Sequence, residues 1–524
     1  KSLAQILAAS TAPAEAVCSH NMGQHDLVVA AAGAGLGALA MILLELELSR
    51  RRQRAAKNGY SHAASDDPVL TRAHKTRTLL SHVATRGPVG STTGVGAVLE
   101  KNGMSLKRYH GEKEENVLAV GAACSEVFSG QRLAKVLRPA VEHQRKALAS
   151  LERGEAITPL SIHTSAGLPS ALGPFLEILG KHLPFSKPSD DWIVNLQLEG
   201  TTAVWAGVEV LMHLREAEGK PRPFVAVADS SYHGPKSTGL GQPAQPRWPG
   251  APRTQGQVSY PRPQLGAVEA SSSMGQEFLQ RFDDFLGQHE DSIGVIIFEP
   301  QWGSSNAARP WPPELLQEAV RRSRNKGIMV LCDEIMCGLG RHGQGTLFLS
   351  QALDLDPDAV TFGKAAAAGA YPLSGVIAKR GAALLAEKGK AMAQSHTYAA
   401  SSELALLTAR EVLQELPRWF EHAAKMGALV KEILRPVDDD KFLRVQGLGL
   451  MWGGLFCEAD AGRKAEMIRL FREACKEHQV WPYFIPVGGF MLSPPMDVAE
   501  DVWREGLTRL LRCCEQVKSK VGSQ

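Results

Sequence analysis

The chain has 524 residues, 58 Lys and Arg against 55 Asp and Glu, a formal net charge of +3, and 44% hydrophobic with 22% charged residues. That balance excludes a disordered or fibrous chain and carries no general signal for nucleic acid. A length of this order holds two or three domains, or one large α/β domain with a smaller partner. The eight cysteines (Cys18, Cys124, Cys332, Cys337, Cys457, Cys475, Cys513 and Cys514) are scattered without a CxxC pair. They read as reduced thiols, not as disulfides or zinc ligands.

Because it begins at Lys1, the chain reads as a fragment or a processed product. Residues 27–44 carry no charge and would span roughly 27 Å as a helix, close to the thickness of a bilayer core. The basic flank Arg50, Arg51, Arg52, Arg54 and Lys57 would then lie on the cytoplasmic side. The run is a candidate transmembrane helix in a leader spanning 1–57, and the alternative is the remainder of a transit or signal sequence. The chain is therefore expected to be membrane-anchored or organellar through 27–44, and otherwise cytoplasmic. Gly33, Gly35 and Ala38 fit a GxGxxA pattern, but no strand-turn-helix context supports a nucleotide site there.

Residues 58–88 are polar and basic and read as a linker. From 89 to 190 the pattern is mostly helical, with three- and four-residue apolar spacing over 132–151. From 191 the grammar changes. Short apolar runs at 193–198, 224–228, 294–298, 328–332, 359–362 and 374–378 alternate with helical stretches such as 313–326 and 401–416. The runs are too short for buried helices and too uniformly apolar for a one-sided sheet. The expectation is an α/β fold with a mostly parallel, seven-stranded-type sheet covered by helices over 191–416. The Pro-, Gly- and Gln-rich stretch 239–266 reads as a long surface loop. Residues 417–524 read as a smaller α+β domain, with helices at 419–435 and 499–518 around strands near 442–456.

Ligands collect at the carboxyl ends of strands in open α/β sheets, so the residues following each run carry the chemistry. After 193–198 come Glu199, Gly200, Thr201 and Thr202, opening a helix. Free backbone N–H groups and the helix dipole make this a potential phosphate seat, though threonine there is usually only a cap. After 224–228 come Tyr232, His233 and Gly234, an aromatic ring and an imidazole on one rim. The plainer alternative is a tyrosine in the core and a solvated histidine. The run 328–332 ends in Asp333 and Glu334, and a carboxylate there must be paired or protonated. The run 359–362 ends in Gly363 and Lys364, and a lysine in such a place can lose its proton to desolvation and act as a nucleophile. A phosphate seat, an aromatic plate, a buried carboxylate and a buried lysine together suit pyridoxal phosphate.

These residues resemble those of the class III, omega-type, aminotransferases among the fold type I pyridoxal-phosphate enzymes. Asp333-Glu-Ile-Met-Cys-Gly338-Leu-Gly-Arg341-His-Gly343 is similar to the family's DEVxxGxGRxG signature, and Thr361-Phe-Gly-Lys364 to its lysine motif. Glu299-Pro300, Tyr232-His-Gly234 and His396-Thr-Tyr398 resemble its EP, YHG and HTY elements. The resemblance implies that Lys364 forms the internal aldimine and then shuttles the proton, and that Asp333 holds the ring nitrogen protonated. It implies that Tyr232 stacks on one ring face, Ile335 packs on the other, and Glu299 supports Asp333 from behind, with His233 in the cofactor-binding set. Gly200, Thr201 and Thr397 of a partner subunit would bind phosphate, so a homodimer follows.

Several positions depart from the family pattern. Its SG[ST]EA reads Glu199-Gly-Thr-Thr-Ala203, the glycines after the lysine are Ala365 to Ala368, and Asn-Pro or His-Pro after HTY is Ser401-Ser402. Two places where relatives hold a substrate carboxylate with arginine carry Pro235 and Met491, although Lys236 is near in sequence. The expected reaction moves an amino group from an amine or omega-amino acid to a keto acid or aldehyde. The alternatives are an aminomutase or a phospho-lyase of the same fold, or a non-catalytic scaffold tethered to a membrane. No metal is expected.

Overall fold

The computed structural model describes residues 97–522 apart from 111–112, 122–123, 162–166, 187–189, 235–239, 241–255, 266–267 and 390–401. The candidate membrane span 27–44 and the linker 58–88 lie outside the described residues. Among the described residues no helix is long and apolar enough to cross a membrane.

The N-terminal part is not mostly helical. Strands β1 (Ala97–Asn102), β2 (Ser105–His110) and β3 (Lys113–Ala119) form an antiparallel meander ahead of the expected helix, which runs Gly130–Glu152. A local signal for the first hairpin is Asn102-Gly103, where Gly103 sits at φ +56°. The alternation that follows is real but disguised by charge. Met104, Leu106 and Arg108 all point inward, and the Arg108 guanidinium lies 4.0 Å over the ring of Trp481. A buried arginine breaks the apolar pattern; its Nε donates to Glu115 Oε1 on β3 at 2.6 Å, while the ring it lies over is nearly four hundred residues away.

The large sheet follows the expected grammar. It comprises β4 (Ile193–Gln197), β5 (Phe224–Ala228), β6 (Gln257–Tyr260), β7 (Ile293–Phe298), β8 (Met329–Asp333), β9 (Ala359–Phe362) and β10 (Ser374–Ala378). Its spatial order is β4-β10-β9-β8-β7-β5-β6, and only β10 runs against its neighbours. Helices Gly200–Ala217, Ser273–Gln288 and Pro313–Asn325 pack on the sheet or on one another, so β7 to β10 are buried throughout. Ile296, Ile297 and Phe298 are wholly buried, each contributing about 1.5–3 kcal/mol. Edge strand β6 lies inside the stretch expected to be loop. It pairs in parallel with β5 and is anchored by Tyr260, whose hydroxyl donates to Ile297 O at 2.7 Å. A four-residue polar edge strand with one inward aromatic has no periodicity to reveal it.

The C-terminal part holds β11 (Leu443–Leu448), β12 (Met451–Phe456), β13 (Val480–Trp481), β14 (Tyr483–Ile485) and β15 (Gly489–Leu492), with helices Phe420–Leu434, Ala461–Glu477 and Glu500–Gly522. Strand β13 pairs in parallel with β3, giving a sheet β1-β2-β3-β13. Segments 89–190 and 417–524 are thus not independent: one sheet draws on both. All of this belongs to one compact unit.

Close backbone approach holds the smaller part together. A Cβ on Gly427, within Phe420–Leu434, would overlap the carbonyl oxygen of Gly449. Gly427→Ala is expected to lower unfolding stability by about 1–3 kcal/mol in a urea titration. Gly287→Ala, whose Cβ would meet nothing within 4 Å, is expected to be neutral or stabilising by up to about 1 kcal/mol. Equal effects for the two would contradict the packing described.

Candidate active site

Strand register brings the site together. Asp333, last residue of β8, lies opposite Thr361 of β9, and the Thr361 hydroxyl donates to Asp333 Oδ1 at 3.1 Å. Three residues beyond Thr361, Lys364 begins a 3₁₀ turn (Lys364–Ala367) that redirects the chain. Lys364 takes φ +47°, a left-handed conformation that costs a non-glycine residue about 1–3 kcal/mol. Strain of this kind is concentrated where geometry is imposed, and the half-buried Lys364 is the residue it aims.

Asp333 is 6% exposed and doubly held. Its Oδ1 also accepts the Ile335 N–H at 3.1 Å, and its Oδ2 lies 2.6 Å from His233 Nδ1. Burial alone would push the carboxyl upward. The hydrogen bond and charge of His233, the Ile335 N–H and the Lys364 charge outweigh it, holding Asp333 below the ordinary aspartate range. Conversely, burial pulls His233 down, but the bond to Asp333 and the charges of Asp333 and Glu299 lift it above the ordinary histidine range. The result, between the ordinary aspartate and histidine values, is an anion held in the interior by a protonated imidazole. His233 Nε2 has no hydrogen-bond partner among the described residues.

Tyr232 and His233 are the reverse of the plain expectation: the tyrosine is 41% exposed and the histidine 2%. His233 stands behind Asp333 and acts through it. Glu299 is not hydrogen-bonded to Asp333 among the described residues, and its charge acts on the His233 behind that carboxylate. Its Oε1 accepts from Tyr232 N at 3.2 Å and its Oε2 from Gly303 N at 3.0 Å, so it pins the loop carrying Tyr232. Burial pushes Glu299 up to about 7, against the lowering effect of the His233 charge. The support falls instead to His233 and Thr361. Thr361 heads the Thr-Phe-Gly-Lys motif, and its position opposite Asp333 was the signal available.

Gly200 and Ile335 close the other side. A Cβ on Gly200 would stand 2.8 Å from Ile335 Cγ2, and one on Gly363 would stand 3.1 Å from Ile335 Cδ1. Ile335 therefore touches both the helix start and the residue before Lys364. The helix Gly200–Ala217 begins after Glu199 in extended conformation with no side chain accepting from its first N–H groups. The Thr202 hydroxyl instead donates to Glu199 O at 3.0 Å. Gly200 and Thr201 thus offer free donors beside the lysine turn, with the exposed Glu199 carboxylate next to them. Thr397, expected to act across a dimer, lies outside the described residues, as do Pro235 and Lys236. Met491 is wholly buried in an apolar, sulfur-rich cluster with Cys124, Cys337, Met451 and Ile485.

The arrangement can hold a flat, phosphorylated aldehyde. An anionic carboxylate suits a protonated ring nitrogen, a primary amine stands in the turn after the adjacent strand, and a helix start offers N–H donors.

The family model for class III aminotransferases matches residues 157–513, and the chain belongs to that family. It is 33% identical over 187 residues to an acetylornithine aminotransferase of Lactococcus lactis, covering 35% of this chain and 47% of that one. It is 28% identical over 234 residues to an acetylornithine aminotransferase of Methanothermobacter thermautotrophicus, covering 44% and 54%. The chain thus spans about half the length of the curated relatives it matches. Among solved structures, an omega transaminase from Pseudomonas jessenii in complex with PMP superposes with a TM-score of 0.70 at 20% identity, over 86% of this chain and 99% of that one. An (S)-enantioselective omega-transaminase from Thermomicrobium roseum gives 0.69 at 21%, over 87% and 100%. The fold is therefore that of the fold type I pyridoxal-phosphate enzymes.

The pairing of Asp333 and His233 sets a pH window. The raised His233 contributes stability that is complete below 6.5 and lost as pH rises through its folded value. The lowered Asp333 contributes stability that is complete above 3.8 and lost as pH falls through its folded value. In a double-mutant cycle of His233→Gln and Asp333→Asn on the cofactor-free protein, the coupling is expected to peak near pH 5. Urea titrations at acid, mid-range and alkaline pH measure it, and a coupling flat from about pH 3 to 9 would contradict the pair.

Proposed function

We propose that this chain is a pyridoxal 5′-phosphate-dependent transaminase, moving an amino group from an amine or omega-amino acid to a keto acid or aldehyde. The observation that carries the reading is a buried carboxylate kept ionised by His233, one strand from a lysine in a strained turn. A protein released from chemistry has no need of both, which weighs against a scaffold. Nothing in the site gives separate support to an aminomutase or a phospho-lyase.

When bound, pyridoxal phosphate supplies an aldehyde that exchanges for the amino group and a ring that accepts an electron pair. Lys364 Nζ would hold it covalently. Freed by the incoming amine, the same nitrogen would take up a proton from the substrate carbon and return it to the cofactor's carbon. Asp333 would keep the ring nitrogen protonated, and His233 would keep Asp333 charged. Tyr232 and Ile335 would enclose the ring, and Gly200 and Thr201 would donate N–H groups to the phosphate.

Met491 supports an amine or an apolar-tailed donor, because a buried, sulfur-rich cluster occupies a place where relatives carry a carboxylate-binding arginine. A homodimer, with Thr397 crossing to the partner's phosphate, and attachment to a membrane or organelle through 27–44 are part of the same proposal, resting on sequence alone.

Reconstituted protein is expected to show a visible absorption band that a primary amine bleaches and that Lys364→Ala lacks. An unchanged band in Lys364→Ala, or no band in the parent chain, would overturn the reading. Glu199→Ser removes an anion beside the phosphate seat and is expected to tighten cofactor binding about three- to tenfold in an equilibrium titration. Weaker binding would mean that Glu199 serves the seat.

A further inference from the structure

Arg341 is the largest charged side chain that is fully buried, yet the described hydrogen bonds of its guanidinium go only to backbone carbonyls. Nη1 donates to Pro494 O at 2.7 Å and to Leu450 O at 3.4 Å, and Nη2 donates to Glu126 O at 2.7 Å. Its own carbonyl accepts the Leu450 N–H at 2.8 Å. A cation taken out of water without a carboxylate is costly, and a guanidinium stays charged, so its planar fork must return something in geometry. What it joins is three segments far apart in sequence.

Two of those segments are laced to each other. Ser493 N donates to Val120 O at 2.9 Å, and Met496 N to Val127 O at 2.7 Å. Cys124 N donates to Ser493 Oγ at 3.1 Å, with Cys124 at φ +62°. The same strip of chain faces the lysine turn: a Cβ on Gly369, five residues after Lys364, would stand 2.8 Å from Ser125 O. Arg341 itself lies eight residues after Asp333, in a loop that leaves the site directly.

We propose that Arg341 is a positioning residue for the amine substrate. Its guanidinium fixes the strip around Cys124–Glu126 and the strip around Ser493–Pro494 as one wall facing the Lys364 turn. It does not touch the substrate. The wall sets where an amine stands relative to Lys364, while the residues proposed to hold the cofactor lie at the ends of β5 and β8, in the Lys364 turn and at the start of the helix at Gly200. Loss of the fork therefore moves the wall and leaves the cofactor seat in place. This inference rests on the transaminase reading for its kinetic half only.

The test uses the full chain with Arg341→Met, which keeps length without charge, Arg341→Lys, which restores one point donor, and Ser493→Ala, which removes the Cys124 N–Ser493 Oγ bond of the lacing without touching the arginine. In the cofactor-free protein, amide exchange at Val120, Cys124, Ser493 and Met496 is expected to quicken about tenfold or more in Arg341→Met, with β7 to β9 unchanged. In the loaded protein, KM for a primary amine is expected to rise about tenfold or more, cofactor affinity to stay within about twofold, and Arg341→Lys to recover part of the loss. A smaller folded fraction lowers turnover but cannot raise KM, which separates positioning from mere stability. If Arg341→Met does not fold, Ser493→Ala is expected to give the same KM shift at smaller size. Unchanged exchange at those four amides, or cofactor affinity falling in step with amine KM, would overturn the proposal. Absence of amine turnover in the parent chain would sink the transaminase reading, and the exchange result would still decide the wall.

Discussion

Everything in the site depends on keeping one carboxylate ionised where water is absent. Asp333 ends a strand buried along its whole length, and burial by itself would neutralise it. The 2.6 Å contact with His233 reverses that outcome, and it does so at the cost of burying an imidazolium as well. Two buried charges are tolerable only with good geometry and further donors. Thr361 and the Ile335 N–H supply those donors, the first set by the parallel register of β8 and β9 and the second by the turn that follows β8. The electrostatics therefore rest on strand pairing, and strand pairing rests on uninterrupted apolar runs.

The same strand ends organise the surroundings. Glu299 at the end of β7 fixes Tyr232 through its backbone, and Ile335 spans from Gly200 to Gly363. An added Cβ would press on the isoleucine at Gly200 and on Ser374 Oγ at Gly363. Farther out, Gly340 at φ +75° packs on Phe420 and Gly343 at φ +69° on Ala424, bringing the loop after Asp333 against the smaller part of the molecule. That loop carries Arg341, so one continuous stretch runs from the buried anion to a buried cation.

Much of the large sheet was legible because parallel buried strands write themselves as short apolar runs: 359–362 and 374–378 coincide with β9 and β10, and 224–228 with β5. Strands built on long-range polar contacts were not. Arg108 points inward with its guanidinium over Trp481 and its charge paired to Glu115 on β3, so the residue that hides the alternation of β2 is held by a cross-strand carboxylate and a distant ring. Strand β6 was hidden for a different reason, since its only fully buried residue is Tyr260. At the site, residue types were readable but roles were not. Asp333 and Lys364 stand where their strand ends imply, whereas it is His233, placed only in the cofactor-binding set, that bonds Asp333, because which of two neighbours backs a carboxylate depends on side-chain direction after a turn.

The most direct measurement is the ¹⁵N NMR signal of the cofactor ring nitrogen, recorded after reconstitution with ring-labelled pyridoxal phosphate, in the parent chain and in Asp333→Asn. A buried, ionised Asp333 predicts a protonated ring nitrogen whose signal holds from about pH 6 to 9, and an unprotonated one in Asp333→Asn. An unprotonated ring nitrogen in the parent chain at neutral pH would contradict the account at its centre.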